Sequence, residues 1–294
     1  MQKITPFLWF DGKAEEAANF YASTFRNAKV HTITYWGEGA PFPKDQVKQC
    51  IFEINGLQFY SFDAGPHFKI NPAISFFVYF NTKEELETTW AKLSARGKVL
   101  MPLNKYPWSE SYGWCADEYG INWQLMLDTN QGSSTVPSLL FTQHNSGKAA
   151  QAIELYTSLF KNSGIKSMWP YLKDEGDVEG YIKHAQFTLE GQLFACMDSS
   201  AKHDFVFNEA ISFFVHCNDQ EEVDYFWNNL TANGGQESQC SWLKDRFGVS
   251  WQIVPKVLAD LISSKDKAKA GRAMQAMMKM KKIIVADIEK AANG

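Results

Sequence analysis

Asn71-Pro72-Ala73-Ile74-Ser75-Phe76-Phe77-Val78-Tyr79-Phe80-Asn81 returns further along the chain as Asn208-Glu209-Ala210-Ile211-Ser212-Phe213-Phe214-Val215-His216-Cys217-Asn218, with eight of eleven positions identical. Outward from this pair, Gly12–Asn27 returns as Gly147–Asn162 with eight of sixteen identical. Downstream, Asp117-x-x-Gly120-x-x-Trp123-Gln124 returns as Asp245-x-x-Gly248-x-x-Trp251-Gln252. Three matches in one order mean that the chain holds two copies of one module. The spacing between copies shortens before the last match, so the first copy carries extra residues, placed here in Lys105–Tyr112.

Each copy reads as strand, helix, three strands, and the same again. Thr5–Phe10 is a short apolar run closed by Asp11-Gly12. Ala14, Ala17, Ala18, Tyr21 and Phe25 then repeat at helical spacing, with Glu15 and Glu16 in the first turn. Asp11 is the expected N-cap, as is Ser146 in the second copy. Val30–Tyr35, Val47–Ile54 and Leu57–Asp63 read as strands, the last two joined by the hairpin pair Asn55-Gly56. Ile74–Phe80 starts the second half, followed by a helix over Lys83–Arg96 and short strands near Val99, Trp114 and Ile121–Leu127. The expected organisation is a first module over 1–130, a polar linker over 131–136, a second module over 137–255 and a helical tail over 256–294. The class is α+β.

The chain has 294 residues, 45% apolar and 21% charged, the balance of a globular protein. Basic residues number 29 and acidic ones 33, a formal charge of −4 that argues against a nucleic-acid footprint. No apolar run reaches membrane-spanning length, and Met1-Gln2-Lys3-Ile4 runs straight into a strand pattern, which predicts no leader. Cys50, Cys115, Cys196, Cys217 and Cys240 form no Cys-x-x-Cys pair. Reduced thiols in a cytoplasmic protein are the expectation.

A doubled strand-helix-three-strand unit resembles the vicinal-oxygen-chelate fold of the glyoxalase/bleomycin-resistance superfamily, in which two units wrap a cupped mixed sheet around a pocket. Three phrases carry a closer resemblance to the PhnB-like family, labelled after demethylubiquinone methyltransferase. They are Pro6-Phe7-Leu8-Trp9-Phe10-Asp11-Gly12 with Glu16-Ala17 and Phe20-Tyr21, then Asp245–Gln252, then the methionine-rich Ala273–Ile283. Members with this tail usually look like a single module, whereas two precede it here. The analogy implies that two modules pair within one chain as two subunits pair elsewhere.

Metal-using relatives place His, Glu or Gln on the first, fourth, fifth and eighth strands of a module. Carried over, these positions fall on Ile4, Phe59 or Ser61, Ile74 and Gln124. In the second copy they fall on Leu139, Phe194 or Cys196, Ile211 and Gln252. Hydrocarbon side chains donate no lone pairs, and one neutral amide per copy does not hold a divalent ion. No metal and no other cofactor is expected; a divalent ion is the lesser alternative. His31, His67, His184 and His203 fall in or beside loops, and His144 and His216 at the parity that faces a helix.

The label's methyltransferase chemistry needs a Gly-rich turn after the first strand. Asp11-Gly12-Lys13 leads directly into a helix, and Gly37-Glu38-Gly39-Ala40-Pro41 opens none. What remains is a pocket for a small molecule. Parity counted from the first strand turns Leu8 and Phe10 inward, with Phe59 and Ser61 on the fourth, Phe76 and Val78 on the fifth and Gln124 on the eighth. The second copy offers Phe141, Gln143, Phe194, Cys196, Phe213, Val215 and Gln252. Trp108 and Trp114, beside the insertion, read as a lid or as packing.

Asp63 and Asp198 share a repeat position, read as a turn cap or as an acid/base carboxylate, and Cys196 as an inert thiol. The leading expectation is a binding protein for an unidentified, largely apolar or aromatic molecule. The alternative is a lyase, isomerase or ring-cleaving dioxygenase with relocated ligands. Met274, Met277, Met278 and Met280 form an adaptable apolar face for docking on a module or on a second chain as a homodimer, with Lys279, Lys281 and Lys282 solvated. No membrane and no nucleic-acid partner is expected.

Overall fold

In the computed structural model, residues 2–37 and 43–294 are described; the Gly-rich stretch from Glu38 to Pro41 lies outside them. The elements follow the doubled order read from the sequence. The first copy comprises β1 (Ile4–Phe10), α1 (Ala14–Thr24), β2 (Ala28–Tyr35), β3 (Val47–Ile54), β4 (Leu57–Asp63), β5 (Ile74–Phe80), α2 (Lys83–Ser94), β6 (Lys98–Tyr106), β7 (Ser109–Ala116) and β8 (Asn122–Leu127). The second comprises β9 (Thr135–Phe141), α3 (Ala149–Leu159), β10 (Gly164–Pro170), β11 (Ile182–Leu189), β12 (Gln192–Asp198), β13 (Ile211–Cys217), α4 (Gln220–Thr231), β14 (Gln236–Glu237), β15 (Trp242–Lys244) and β16 (Ser250–Pro255). The tail forms α5 (Lys256–Ile262), α6 (Lys267–Met277) and α7 (Val285–Asn293). Asn55 and Gly56 both have positive φ, 49° and 83°, the backbone a two-residue hairpin demands. No helix among the described residues is long and apolar enough to cross a membrane.

The chain divides into two compact units, residues 6–211 and residues 1–5 with 212–294. The larger contains a complete eight-stranded sheet, β10-β11-β12-β9-β5-β8-β7-β6. At its centre β5 and β9 run antiparallel, with Ser75 opposite Ser138 and Phe77 opposite Val136. Parallel pairs flank that centre, β5 with β8 and β9 with β12. The second half of one copy is therefore completed by the first half of the other.

The first copy's own core lies on the helix side of these strands. Tyr21 of α1, Phe52 of β3, Phe59 of β4, Phe76 of β5 and Trp123 of β8 are fully buried there. Phe59 meets Phe76 edge-on at 5.0 Å, and Tyr21 meets Trp123 at 5.2 Å. Each such ring stabilises the fold by roughly 1.5–3 kcal/mol through removal of apolar surface from water. Asp117 pins this core. Its Oδ2 accepts from Tyr21 Oη at 2.8 Å and Trp123 Nε1 at 2.7 Å, and its Oδ1 from the Tyr119 and Ile121 amides. Burial pushes the carboxyl up to about 6. Asp245 repeats the device on Trp251, at 2.9 Å.

Helix capping departs from the sequence reading. Neither Asp11 nor Ser146 caps its helix; the residues before α1 and α3 are Lys13 and Lys148, with no side-chain cap of their own. The caps come from distant strands. Asp63 Oδ1 accepts from the Lys13 and Ala14 amides at 2.9 and 3.0 Å, and Asp198 Oδ1 from Gly147 and Ala149 at 2.8 and 3.2 Å. A carboxylate on the end of an adjacent strand reaches the free amides and the positive helix end together, so the local residue is not needed.

In the smaller unit the order is β14-β15-β16-β13, and the His216 amide donates to Lys3 O at 3.0 Å. The tail packs on one face of these strands. Val254 and Leu258 cluster with Ala273, Ile283, Ile288 and Ala292, and Phe214, Met277 and Met280 lie against them. The methionines are not one helical stripe: α6 ends at Met277, and Met278 is 44% exposed. Lys282 pairs with Asp224 at 2.6 Å.

Candidate functional site

Two contacts identify which face of the β10–β6 sheet meets the helices. Gly113 lies so close under Trp90 of α2 that a Cβ there would sit 2.6 Å from the indole. Asp198 of β12 points at the start of α3. Side chains of opposite parity therefore occupy the other face, left open by these helices but packed among themselves: Ser75, Phe77 and Tyr79 of β5, Tyr112 and Trp114 of β7, and Gln124 of β8. From the other half come Val136 and Ser138 of β9, Ala195 and Met197 of β12, His184 and Gln186 of β11, and Ser167 of β10. Phe77, Tyr79, Tyr112, Val136 and Ala195 form one buried cluster, joined by Met101, Tyr106, Trp114 and Met126.

A row of neutral polar groups crosses this face. Trp114 lies opposite Gln124, Ser75 opposite Ser138, Ser138 opposite Ala195, Ala195 opposite Gln186, and Gln186 opposite Ser167. Gln124 is held at both ends, its Oε1 accepting from Tyr112 Oη and its Nε2 donating to Ser75 Oγ at 2.8 Å. Gln186 Nε2 donates to Tyr79 Oη at 3.0 Å. Three buried members have no hydrogen-bond partner among the described residues: Trp114 Nε1, Ser138 Oγ and Ser167 Oγ. His184 stacks on Trp169 at 5.8 Å and meets Phe77 edge-on at 5.7 Å. Burial drives its imidazole down to about 4, so the ring is neutral at physiological pH. At the rim, Trp108 stacks on Tyr106 at 5.1 Å and is 54% exposed.

The parity expected from the first strand is reversed at most positions. Asp63 is directed at α1, and Ser61 and Phe59 share its face; Leu8 and Phe10 lie opposite Ser61 and Asp63 and so face α1 too. Phe7, Trp9, Tyr60 and Phe62 hold the other side, packed edge-on. Phe76 and Val78 belong to the helix-side core, as Phe76 shows by meeting Trp123 at 5.6 Å. Phe194 and Cys196 share the α3 side with Asp198, and Phe141 packs on Phe207 at 5.1 Å. Gln143 is not on the sheet; it sits at positive φ in a 3-10 turn and donates to His203 O.

In the smaller unit Phe213 meets Trp251 on one face, at 5.3 Å, with Val215 in the same parity. His216, expected to face the module's own helix, is on the opposite face, tilted against Phe214 at 4.7 Å, the face on which the tail helices pack. Gln252 is there as well and donates to Ser212 Oγ at 3.0 Å. Only Trp114, Gln124 and Trp108, of the first-copy residues expected at a pocket, stand on or beside the open face of the complete sheet. His184, expected in a loop, is in mid-strand. Ser75, Tyr79, Tyr112 and Ser138 were missed; a lone serine inside the repeated Ala-Ile-Ser-Phe-Phe-Val was the available signal, because a polar group in an apolar strand requires a partner.

The inward residues at the four strand positions a metal would use are Ser75, Gln124, Ser138 and Ala195, one place along from Ile74 and Leu139. Two hydroxyls, an amide engaged at both ends and a methyl group do not fit a divalent ion. Among the described residues no three His, Cys, Asp or Glu side chains gather as a metal site. An anionic cofactor fares no better at the helix ends, since the amides of α1 and α3 are occupied by Asp63 and Asp198, and those of α2 and α4 by Thr82 and Asp219. Burial raises the Asp63 and Asp198 carboxyls, which their backbone donors offset in part. The Cys196 thiol is pushed well above its usual range by burial.

The family model described as 3-demethylubiquinone-9 3-methyltransferase matches the chain twice, over residues 2–126 and 133–254. Protein YjdN of Escherichia coli is 23% identical over 143 residues, 44% of this chain and 97% of its own length. A Bacillus cereus structure described as a 3-demethylubiquinone-9 3-methyltransferase, PhnB protein, is 43% identical, covering 43% of this chain and all of its own, with a TM-score of 0.42. Glyoxalase I from Zea mays superimposes on 84% of this chain and 92% of its own with a TM-score of 0.57, at 10% identity. That likeness is one of fold: two glyoxalase-like modules in tandem.

Proposed function

The chain belongs to the 3-demethylubiquinone-9 3-methyltransferase (PhnB-like) family, and from that premise we propose that it binds a small organic molecule on the open face of the β10–β6 sheet without the aid of a metal. One observation carries the reading: Trp114 Nε1, Ser138 Oγ and Ser167 Oγ are buried on that face without partners. Leaving a polar group so costs roughly 1–3 kcal/mol, a cost a bound molecule offsets. The hairpin of β6 and β7 is the part that yields to admit it, because β6 is an edge strand with three register irregularities against β7 and carries the exposed rim.

Methyl transfer is not part of this proposal. The turn after β1 runs directly into α1, whose first amides are taken by Asp63. A lyase or isomerase using Asp63 or Asp198 as base is disfavoured for the same reason, since both carboxylates are engaged by backbone donors. The five cysteines are free thiols, which favours a reducing, cytoplasmic setting. Native mass spectrometry of freshly purified protein tests the reading: a non-covalent small-molecule adduct without metal is expected. Stoichiometric nickel, zinc, iron or manganese in protein prepared without chelator would refute it.

A further inference from the structure

We infer that the C-terminal tail is a detachable strap: it stands in for a hairpin that the second copy lacks, and its release uncovers Phe214 and Val254. The inference is independent of the binding reading above, since it concerns how one apolar strand face is kept closed.

The two copies differ most in their last hairpin. In the first, β6 has nine residues and β7 eight; in the second, β14 has two and β15 three. Met101, Tyr106 and Tyr112 of the long hairpin belong to one apolar cluster with Phe77 and Met126. By the repeat, Phe77 corresponds to Phe214 and Met126 to Val254, and there the cover is Met277, Met280 and Ile283 of the tail. An apolar strand face gains by being covered from water, and a copy with a shortened hairpin takes that cover from the segment that follows it.

The junction is strained. At the turn from β14 to β15, the Cys240 amide donates to Met280 O at 2.8 Å and the Ser241 amide to Lys281 O at 2.9 Å. Cys240 and Ser241 hold these bonds at φ of 57° and 73°, the one adjacent pair of non-glycine residues at positive φ among the described residues. That conformation costs an L side chain free energy at each position. Tyr112 and Gly113, the matching pair of the first copy, lie within β7, and neither has positive φ.

Polar ties to the tail oppose this strain. Gln220 Nε2 donates to Ile283 O at 3.2 Å, and its Oε1 accepts from the Val285 amide at 2.7 Å. The ion pairs Lys282–Asp224 and Lys281–Glu237 are solvent-accessible and contribute little. A closed state that stores strain and rests on such ties opens more readily than the strands beneath it.

Hydrogen exchange on the full chain tests the strap. The amides of Ser241 and Val285 are expected to exchange together with those of α7, at least about a hundredfold faster than those of β13 and β16. Ser241→Gly, which accepts positive φ freely, should slow this shared exchange by about threefold, whereas Ser241→Ala, with the same backbone penalty, should not. Gln220→Ala removes two hydrogen bonds to the tail and should speed it by about tenfold, while β13 and β16 keep their protection. A tail that exchanges no faster than β16 overturns the inference, as do unrelated rates at Ser241 and Val285. So does exchange in Ser241→Gly as fast as in Ser241→Ala.

Discussion

Gln124 donates to Ser75 at 2.8 Å and so ties β8 to β5 across the open face. The same amide accepts from Tyr112 Oη, so that one side chain aligns three strands. Gln252 and Ser212 repeat the bond at 3.0 Å.

Removing that amide leaves two hydroxyls stranded. Gln124→Leu keeps the volume but strips Tyr112 of its acceptor and Ser75 of its donor, and is expected to cost roughly 2–4 kcal/mol from two buried groups. Urea unfolding measures it. Gln252→Leu, which strands Ser212 Oγ, should cost about half as much.

Asp198 serves as a helix cap in this structure, and a cap tolerates an amide. Asp198→Asn retains an acceptor oxygen for Gly147 and Ala149 but turns an NH2 towards the Ile182 amide, which donates to Oδ2 at 2.9 Å; it should still lose less stability than Asp198→Ala, which strands all three donors and is expected to cost at least about 1–2 kcal/mol. Adduct formation in the native mass spectrum should survive both. An adduct or turnover lost in Asp198→Asn, in a chain as stable as wild type, would instead favour an acid/base carboxylate.

His184 makes stability depend on acid. Its ordinary pKa of 6.5 falls to about 4 on folding, so its contribution is fully present above pH 6.5 and is lost as pH falls through 4. Asp117 works oppositely: raised to about 6, it contributes most below its ordinary 3.8 and loses that contribution as pH rises through 6. The two partly cancel in the wild-type chain. The difference between wild type and His184→Phe isolates the histidine, and urea midpoints should show the variant gaining relative to wild type between pH 6.5 and 4. A constant difference across that window would contradict the buried neutral ring.

The tail is docked on its own chain. Ending the chain after Pro255 removes Leu258, Ile283, Ile288 and Ala292 from the cluster on Val254 and Phe214. Loss of that much buried hydrocarbon is expected to lower the thermal midpoint and to increase the fluorescence of a hydrophobic dye. Light scattering on both chains tests the proposed homodimer: if the tail also joins two copies, the shortened chain loses half its mass in solution beyond the deleted residues.

Much of this fold is legible in the sequence. The repeat, the order of elements, the Asn55-Gly56 hairpin and the insertion that lengthens β6 and β7 all follow from local pattern and self-similarity. Leu8, Phe10, Phe76 and Val78 were turned to the wrong side because the strands do not alternate. All seven residues of β5 and of β9 are buried, since one face meets helices and the other meets the aromatic cluster. When both faces are dry, hydrophobicity carries no parity.

By itself the sequence determined that two glyoxalase-like modules stand in tandem, because a repeat and a family pattern depend on residue type and order along the chain. Only the tertiary structure decided that β5 pairs with β9, that Ser75 and Ser138 rather than Ile74 and Leu139 face the open side, and that Asp63 and Asp198 cap helices. Those outcomes depend on which backbone edges meet and on a one-residue choice of face, and neither leaves a mark on a strand that is apolar throughout.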